Sequence, residues 1–282
     1  MMIYFLIFSA YCKNSIVQFV NNYPGATWKA TEYPIEVIKQ IDMKEQFAPH
    51  HASSFSDYIE DSSLPDTFDA RIQWPGKMVP VRKQGSCGSC WAHSASESAG
   101  NRLNILGCSR GVLSVQDQVS CNSACFKCLG CPPPQTWKYI KQTGLATEKC
   151  IPYVSADKRI PQCPKKCVNG SDIVRVKATS YSHIPAKNMQ QELYEHGPFQ
   201  ASFITYEDFR QYKSGVYKHL TGKLKGAHCV MVMGWGTENG IPYWLVQNTY
   251  GTEWGEDGFF KIIRGTNECE FETACYAGYF QC

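Results

Sequence analysis

Fifteen cysteines in 282 residues constrain this chain more than any other feature. Reducing compartments seldom tolerate so many, so they call for either a disulfide framework or bound metal. The start of the chain favours disulfides. Met1 to Ala10 reads Met-Met-Ile-Tyr-Phe-Leu-Ile-Phe-Ser-Ala, a short apolar run ending in small residues, with polar Lys13, Asn14 and Ser15 after it. This has the form of a secretory signal, although no Lys or Arg precedes the apolar run; a buried N-terminal strand is the alternative. On an oxidising route Asn169-Gly170-Ser171 becomes a usable glycosylation acceptor.

Composition narrows the function classes. Lys and Arg number 28 against 25 Asp and Glu, leaving a formal charge of +3, too balanced for a nucleic-acid or polybasic membrane partner. With 43% hydrophobic and 19% charged residues the chain has the means to form a core, which excludes disorder. Beyond the leader no run approaches the roughly 18 apolar residues of a membrane helix.

The expected organisation has three segments: a signal over 1–12, a leader over 13–63 and a compact unit over 64–282. The leader is polar and poorly patterned, with one short helix expected around Ile35 to Ile41. From Leu64 the turn signals, aromatics and cysteines become dense. Within Cys90 to Leu106, Trp91, Ala95, Ala99, Leu103 and Leu106 recur at three and four, and Gly107 stands where a helix stops, predicting an amphipathic helix. Another should begin at Ser114, with Asp117 as capping-box partner. Further helices are expected after Pro134 and before Gly197. Strand patterns follow at Val174 and Val176, Phe199 to Phe203, Val230 to Gly234, Tyr243 to Gln247 and Gly258 to Ile263. A helical half followed by an antiparallel half is an α+β arrangement, with a cleft expected between the two.

The chemistry centres on Gln84-Gly85-Ser86-Cys87-Gly88-Ser89-Cys90-Trp91. Cys90 opens the long helix, where unpaired N–H groups favour an anion, so its thiol should ionise easily and act as a nucleophile. Gln84 offers an amide to an oxyanion. Of seven histidines, His228 has the helpful setting: it begins a strand that turns at Asn239-Gly240 and returns through Tyr243 to Asn248. A two-residue loop would set 228 opposite about 251, and a bulge could bring Asn248 into reach to orient the imidazole. Cys87-Gly88-Ser89-Cys90 alone also fits a thioredoxin-like pair, but no βαβ pattern surrounds it. Cys125, Cys128 and Cys131 mimic a zinc or iron–sulfur spacing, for which disulfides are the simpler reading in a secreted chain; no metal or cofactor is expected.

These motifs resemble the papain family of cysteine proteases, in particular its cathepsin B-like branch; Cys-Gly-Ser-Cys-Trp with a distant His and Asn is the family's known signature. The resemblance extends over essentially the whole chain, through Leu64 to Trp74, Gly197-Pro198, Tyr212 to Tyr217, Gly234-Trp235-Gly236 and Pro242 to Val246. It implies a two-lobed fold, a helical lobe facing an antiparallel β-barrel-like lobe. It also implies Cys90 as nucleophile, His228 as base and acid, Asn248 as orienter, Gln84 as oxyanion donor and the leader as an inhibitory propeptide. Implied disulfides are Cys87–Cys131, Cys121–Cys163 and Cys150–Cys167, with a weaker Cys125–Cys128. Cys229 is the candidate for an extra thiol, and Cys108, Cys269, Cys275 and Cys282 remain unassigned.

Departures from the family pattern bear on function. Pro132-Pro133-Pro134 stands where the family has Asn-Gly-Gly, and Pro134 lacks the N–H that would meet substrate. Tyr250 replaces a Trp, which predicts a looser shield over His228. His93 replaces a Phe and reads as a hydrogen-bonded core residue. No His lies between His93 and His183, so the paired-histidine loop of cathepsin B is missing and the cleft should be open at both ends. Pro133, Pro134, Ala227, Cys229, Tyr250 and Ala274 are the expected substrate-binding positions, with apolar side chains preferred in the second subsite. The resulting expectation is a monomeric endopeptidase, secreted or held in a lysosome-like or endosomal vesicle, that acts on peptides and proteins. The alternative is a pseudo-protease that binds peptides with little turnover.

Overall fold

A computed structural model of the chain describes residues 16–41 and 63–282. The expected signal segment, Cys12 and residues 42–62 lie outside the described residues.

The strands are β1 (Trp28–Ala30), β2 (Phe68–Asp69), β3 (Ser180–Ile184), β4 (Phe199–Tyr206), β5 (Tyr212–Tyr217), β6 (Leu224–Glu238), β7 (Ile241–Gln247), β8 (Phe259–Ile263) and β9 (Cys275–Tyr279). They form one sheet in the order β1-β5-β8-β7-β6-β4-β9-β3, with β2 on β6. The neighbours run antiparallel except β5 and β8, which are parallel. Helices together with this sheet make the α+β arrangement that the sequence predicts; the barrel-like detail is corrected, since the sheet is mixed through the parallel pair β5 and β8 and is not closed, with β1 and β3 as its two edges. Val174 and Val176 form no strand; Val176 makes only a bridge to Leu145.

The helices are α1 (16–22), α2 (Ile35–Ile41), α3 (Ala70–Gln73), α4 (Cys90–Ile105), α5 (Val115–Cys121), α6 (Pro133–Gln142) and α7 (Met189–His196). α4 ends as expected, with Gly107 at φ 83° just past its cap. It is not amphipathic, however: every residue from Cys90 to Leu103 is buried. The sheet covers one side and the other helices the rest, so most of its polar side chains find partners inside the protein, while His93 Nε2, Glu97 Oε1 and Asn104 Oδ1 are buried without a hydrogen bond among the described residues. Arg102 donates to the carbonyls of Gly197 and Pro198, both at 2.9 Å, and pairs with Glu192 at 2.8 Å. Asn101 accepts from the Val79 N–H at 2.7 Å.

α5 begins at Ser114, whose hydroxyl accepts from the Asp117 N–H at 2.9 Å. The capping box is only half formed, because the Asp117 carboxylate takes Arg175, Tyr139 and the Ala146 N–H instead. α6 starts on Pro133 and Pro134, where a fixed φ helps and a missing N–H costs nothing.

The leader is less of an appendage than its composition suggests. Val20 and Trp28 are fully buried, and Trp28 packs against Tyr212 and Tyr217 at 6.1 and 5.2 Å between ring centroids while its N–H reaches the Lys218 carbonyl. Gly215 permits this contact: its φ is +89°, and a Cβ there would stand 2.6 Å from the Thr27 carbonyl oxygen.

Five disulfides join Cys87 to Cys128, Cys108 to Cys282, Cys121 to Cys163, Cys125 to Cys131 and Cys150 to Cys167. The last of these and Cys121–Cys163 have the partners that the resemblance implies. Cys87 does not pair with Cys131, nor Cys125 with Cys128. The Gly88 N–H donates to the Cys128 carbonyl at 2.9 Å, and a Cβ on Gly88 would lie 2.4 Å from that oxygen, so the backbones on either side of this bond are in direct contact. Among the described residues, Cys90, Cys229, Cys269 and Cys275 stand outside disulfides.

Candidate active site

The hairpin of β6 and β7 turns at Asn239-Gly240, both at positive φ, 51° and 79°, with Glu238 opposite Ile241. Up to Gly234 and Leu245 the pairing is regular; it then shifts by one residue, so that Met231 faces Gln247. That bulge, added to the turn, brings the end of β7 toward His228. The imidazole Nε2 lies 2.8 Å from Asn248 Oδ1. Asn248 Oδ1 also accepts from the Thr249 N–H, so it acts as acceptor and His228 Nε2 carries the proton. Nδ1 is then the ring nitrogen available to Cys90.

Tyr250 stacks on His228, with centroids 4.9 Å apart and planes at 25°, and Trp254 meets Tyr250 edge-on at 5.3 Å. The phenol therefore covers the imidazole. Tyr250 is itself buried.

Cys90, at the first turn of α4, is buried where Cys229 and His228 both act on its thiol. The hydrogen bond with Cys229, followed by burial, pushes the thiol well above its ordinary range; the charge and hydrogen bond of His228 pull it down. The sequence predicts the opposite balance from the helix terminus alone. A helix end contributes only a partial charge, and here the Cys229 hydrogen bond, followed by the burial that removes the water a thiolate needs, outweighs it.

Gln84 is held from several sides. Its N–H donates to the Thr249 carbonyl at 2.9 Å, its side-chain amide donates to the Cys87 carbonyl at 3.1 Å, and its amide oxygen accepts from the Thr249 hydroxyl. The stretch before Cys90 is thus tied to the residue after Asn248. Thr249 is a member of this site that sequence reasoning missed; its position next to Asn248 was the available signal.

Among the expected substrate-binding positions, Cys229 faces Ser202 across β4 and β6, and the Ser202 N–H donates to the Ala274 carbonyl at 3.0 Å, so these residues adjoin. Ala227 pairs with Ile204 on the same two strands. Glu272, near Ala274, is committed elsewhere: it accepts from the Trp244 indole and from the Gly265 and Asn267 N–H groups. Glu270 is exposed. Pro133 is buried and Pro134 partly so, at the start of α6. Asn169 lies in an exposed turn, accepting from the Ser171 N–H and hydroxyl, beside a cavity of about 730 Å³ that includes none of the catalytic candidates.

Two other buried groups on α4 are shifted. Burial, followed by the charge of Arg82, lowers His93 to about 3, so that this ring is neutral. Burial raises Glu97 to about 8, against the charge of Arg82 and a hydrogen bond from Gln247.

Comparison with known proteins gives this geometry a context. Residues 64–279 match the family model described as papain family cysteine protease. The chain is 38% identical to cathepsin B-like cysteine proteinase 4 of Caenorhabditis elegans, over 94% of this chain and 92% of that one. It is 39% identical to cathepsin B-like CP2 of Giardia intestinalis, over 79% and 77%. Among solved structures it is similar to proCathepsin B S9 from Trypanosoma congolense, with a TM-score of 0.82, 29% identity, and coverage of 95% of this chain and 98% of that one. A cysteine, an imidazole and an amide brought together on this fold, with a family match over the compact unit, lead to one conclusion: the chain belongs to the papain family of cysteine proteases.

Proposed function

We propose that the mature part, about 64–282, is an endopeptidase working through an acyl-enzyme on Cys90. The observation that carries this reading is that Asn248 Oδ1 holds His228 through Nε2 at 2.8 Å, which leaves Nδ1 for Cys90, a thiol that the charge of His228 pulls down. As the substrate carbonyl arrives, His228 takes the thiol proton and the sulfur attacks the carbonyl carbon. The oxygen becomes an anion facing the Gln84 amide and the Cys90 N–H. His228 passes its proton to the departing amine as the C–N bond breaks, leaving a thioester. Water then attacks the thioester, gives a proton to His228 and releases the acid, and the thiol is restored.

The absence of any His between His93 and His183 argues for a cleft open at both ends, hence internal cleavage. Cys229 and Ala274 on one wall, with Glu272 bound into its own turn, support apolar side chains in the second subsite. Leader residues packed on β5 through Trp28 support synthesis as a zymogen, with 13–63 as the inhibitory segment. The disulfides suit a monomer that is secreted or retained in an acidic vesicle. Cys90→Ala should abolish hydrolysis of internal bonds in peptides with an apolar residue two positions before the cut, and leave the fold intact. Retained hydrolysis, or release of C-terminal dipeptides only, would refute the reading.

A further inference from the structure

A chain of buried and partly buried hydrogen bonds, not used in the reaction above, runs from Gln84 to the first turn of α4. The Tyr153 hydroxyl donates to the Gln84 carbonyl at 2.7 Å. Its oxygen lies 2.8 Å from Ser89 Oγ, which is 3.3 Å from His93 Nδ1; that nitrogen is 3.0 Å from the Ser89 carbonyl oxygen. The directions follow from the groups that can only accept. A carbonyl takes the single Tyr153 proton, so Ser89 donates to the phenol oxygen. Another carbonyl faces His93 Nδ1, so that nitrogen carries the proton.

Ser89 occupies the N-cap of α4 but makes no side-chain cap bond, because its hydroxyl is turned to Tyr153. The segment beyond Tyr153 also holds the Gln84 loop: the Ser86 N–H donates to the Ala156 carbonyl at 2.6 Å, and Gly85, at φ +66°, passes so close that a Cβ would stand 2.5 Å from that oxygen. Tyr153 is fixed in turn by its N–H to Glu148 at 2.8 Å, and Glu148 pairs with Arg82 at 2.8 Å. Gln84 is thus pinned from opposite sides, by Thr249 through its N–H and by Tyr153 through its carbonyl.

We propose that Tyr153, Ser89 and His93 are positioning residues that hold the Gln84 backbone against the start of α4 and thereby fix the separation of the two oxyanion donors, the Gln84 amide and the Cys90 N–H. The proposal rests on the reading of Gln84 as an oxyanion donor. Small displacements of such donors are costly, since their value lies in being in place before charge develops. The Tyr153 hydroxyl touches neither substrate nor Cys90 in this account; it acts through Gln84.

The test uses the mature enzyme and its Tyr153→Phe variant, which keeps the ring that packs edge-on against His93 at 4.8 Å. Three readouts separate the possibilities: kcat and KM for a peptide amide, affinity for a peptide aldehyde, whose adduct places an oxyanion in the same site, and the pH profile of Cys90 alkylation by iodoacetamide, which needs no oxyanion site. Expected for Tyr153→Phe are about a tenfold loss in kcat and in aldehyde affinity, a KM within about twofold, and an unchanged alkylation profile. In a Gln84→Ala background the same substitution should add nothing. Unchanged kcat and aldehyde affinity would overturn the proposal, as would an alkylation profile that moves in step with kcat or a full additional loss in the Gln84→Ala background. A Gln84→Ala enzyme with wild-type aldehyde affinity would instead refute the underlying assignment of Gln84.

Discussion

Four of the five disulfides lie within residues 87–167, whereas the sheet half carries Cys229, Cys269 and Cys275 outside such bonds and is held by rings. Phe209 meets Phe203 at 5.1 Å and Phe260 at 5.0 Å; Trp254 meets Phe260 at 5.9 Å, and from Trp254 the contacts continue through Tyr250 to His228. The helical half offers less apolar bulk. Its central helix presents Ala95 and Ala99 to the core and buries Ser94, Glu97, Ser98, Asn101 and Arg102. A core built from small and polar side chains gains little from burial, so covalent links that restrict the unfolded chain compensate. The proposed nucleophile, Cys90, therefore sits on a stapled half and its proposed base, His228, on an aromatic one.

The largest effect should come from cutting the aromatic side. Phe260→Ala is expected to cost about 3 to 5 kcal/mol, read by urea unfolding of a Cys90→Ala background. A cost under about 1 kcal/mol would break the comparison. Removing one staple with Cys121→Ser and Cys163→Ser together should cost about 2 to 4 kcal/mol, and exchange of amide hydrogens should rise over 87–167 before it rises in β6 and β7. Exchange spreading first through the sheet would reverse the assignment.

The buried polar groups of α4 give the helical half a pH dependence. Glu97 is raised from 4.5 to about 8, so between those values the folded state holds a proton that the unfolded state has released, and stability falls as pH rises. His93 is lowered from 6.5 to about 3; between those values the unfolded state holds the extra proton, and stability rises with pH. The two slopes oppose each other from about 4.5 to 6.5, leaving Glu97 to act alone from about 6.5 to 8. Stability should be level in the first window and fall on the order of 1 kcal/mol per pH unit in the second. Glu97→Gln should flatten the second window; a decline of the same slope in that variant would assign the effect to another group.

The smallest effect concerns the start of α6, the proposed edge of the cleft. Pro134→Gly returns a backbone N–H and should lower KM severalfold, equivalent to about 1 kcal/mol, with kcat little changed. No change in KM would place substrate away from this edge.

What the sequence made legible follows the same division. In the sheet half the alternation of Phe199, Ala201 and Phe203 and the Asn239-Gly240 turn locate β4 and the β6–β7 hairpin, because large apolar residues and a turn of fixed type leave few other arrangements. The bulge that brings Asn248 to His228 is anticipated only as a need; its position carries no residue signature. In the helical half the extent of α4 is readable, but its burial on all faces is not, since Ser94, Glu97 and Arg102 look solvated until their partners in β4, β7 and the 197–198 turn are known. The Cys87–Cys128 and Cys125–Cys131 pairings were missed because three cysteines spaced three apart allow several closures, and the contact of Gly88 with Cys128 chooses among them only in three dimensions. Trp28 was overlooked in the leader, where one buried indole lies in an otherwise polar stretch.

The central claim is that one sulfur, Cys90, is made nucleophilic by an imidazole that Asn248 orients. It is tested most directly by treating the mature enzyme with a peptide epoxide at acid pH and locating the adduct by mass spectrometry. The account predicts one adduct per chain, on Cys90, lost in Cys90→Ala and strongly slowed in His228→Ala. No adduct, or an adduct on Cys229 that persists in Cys90→Ala, would contradict it.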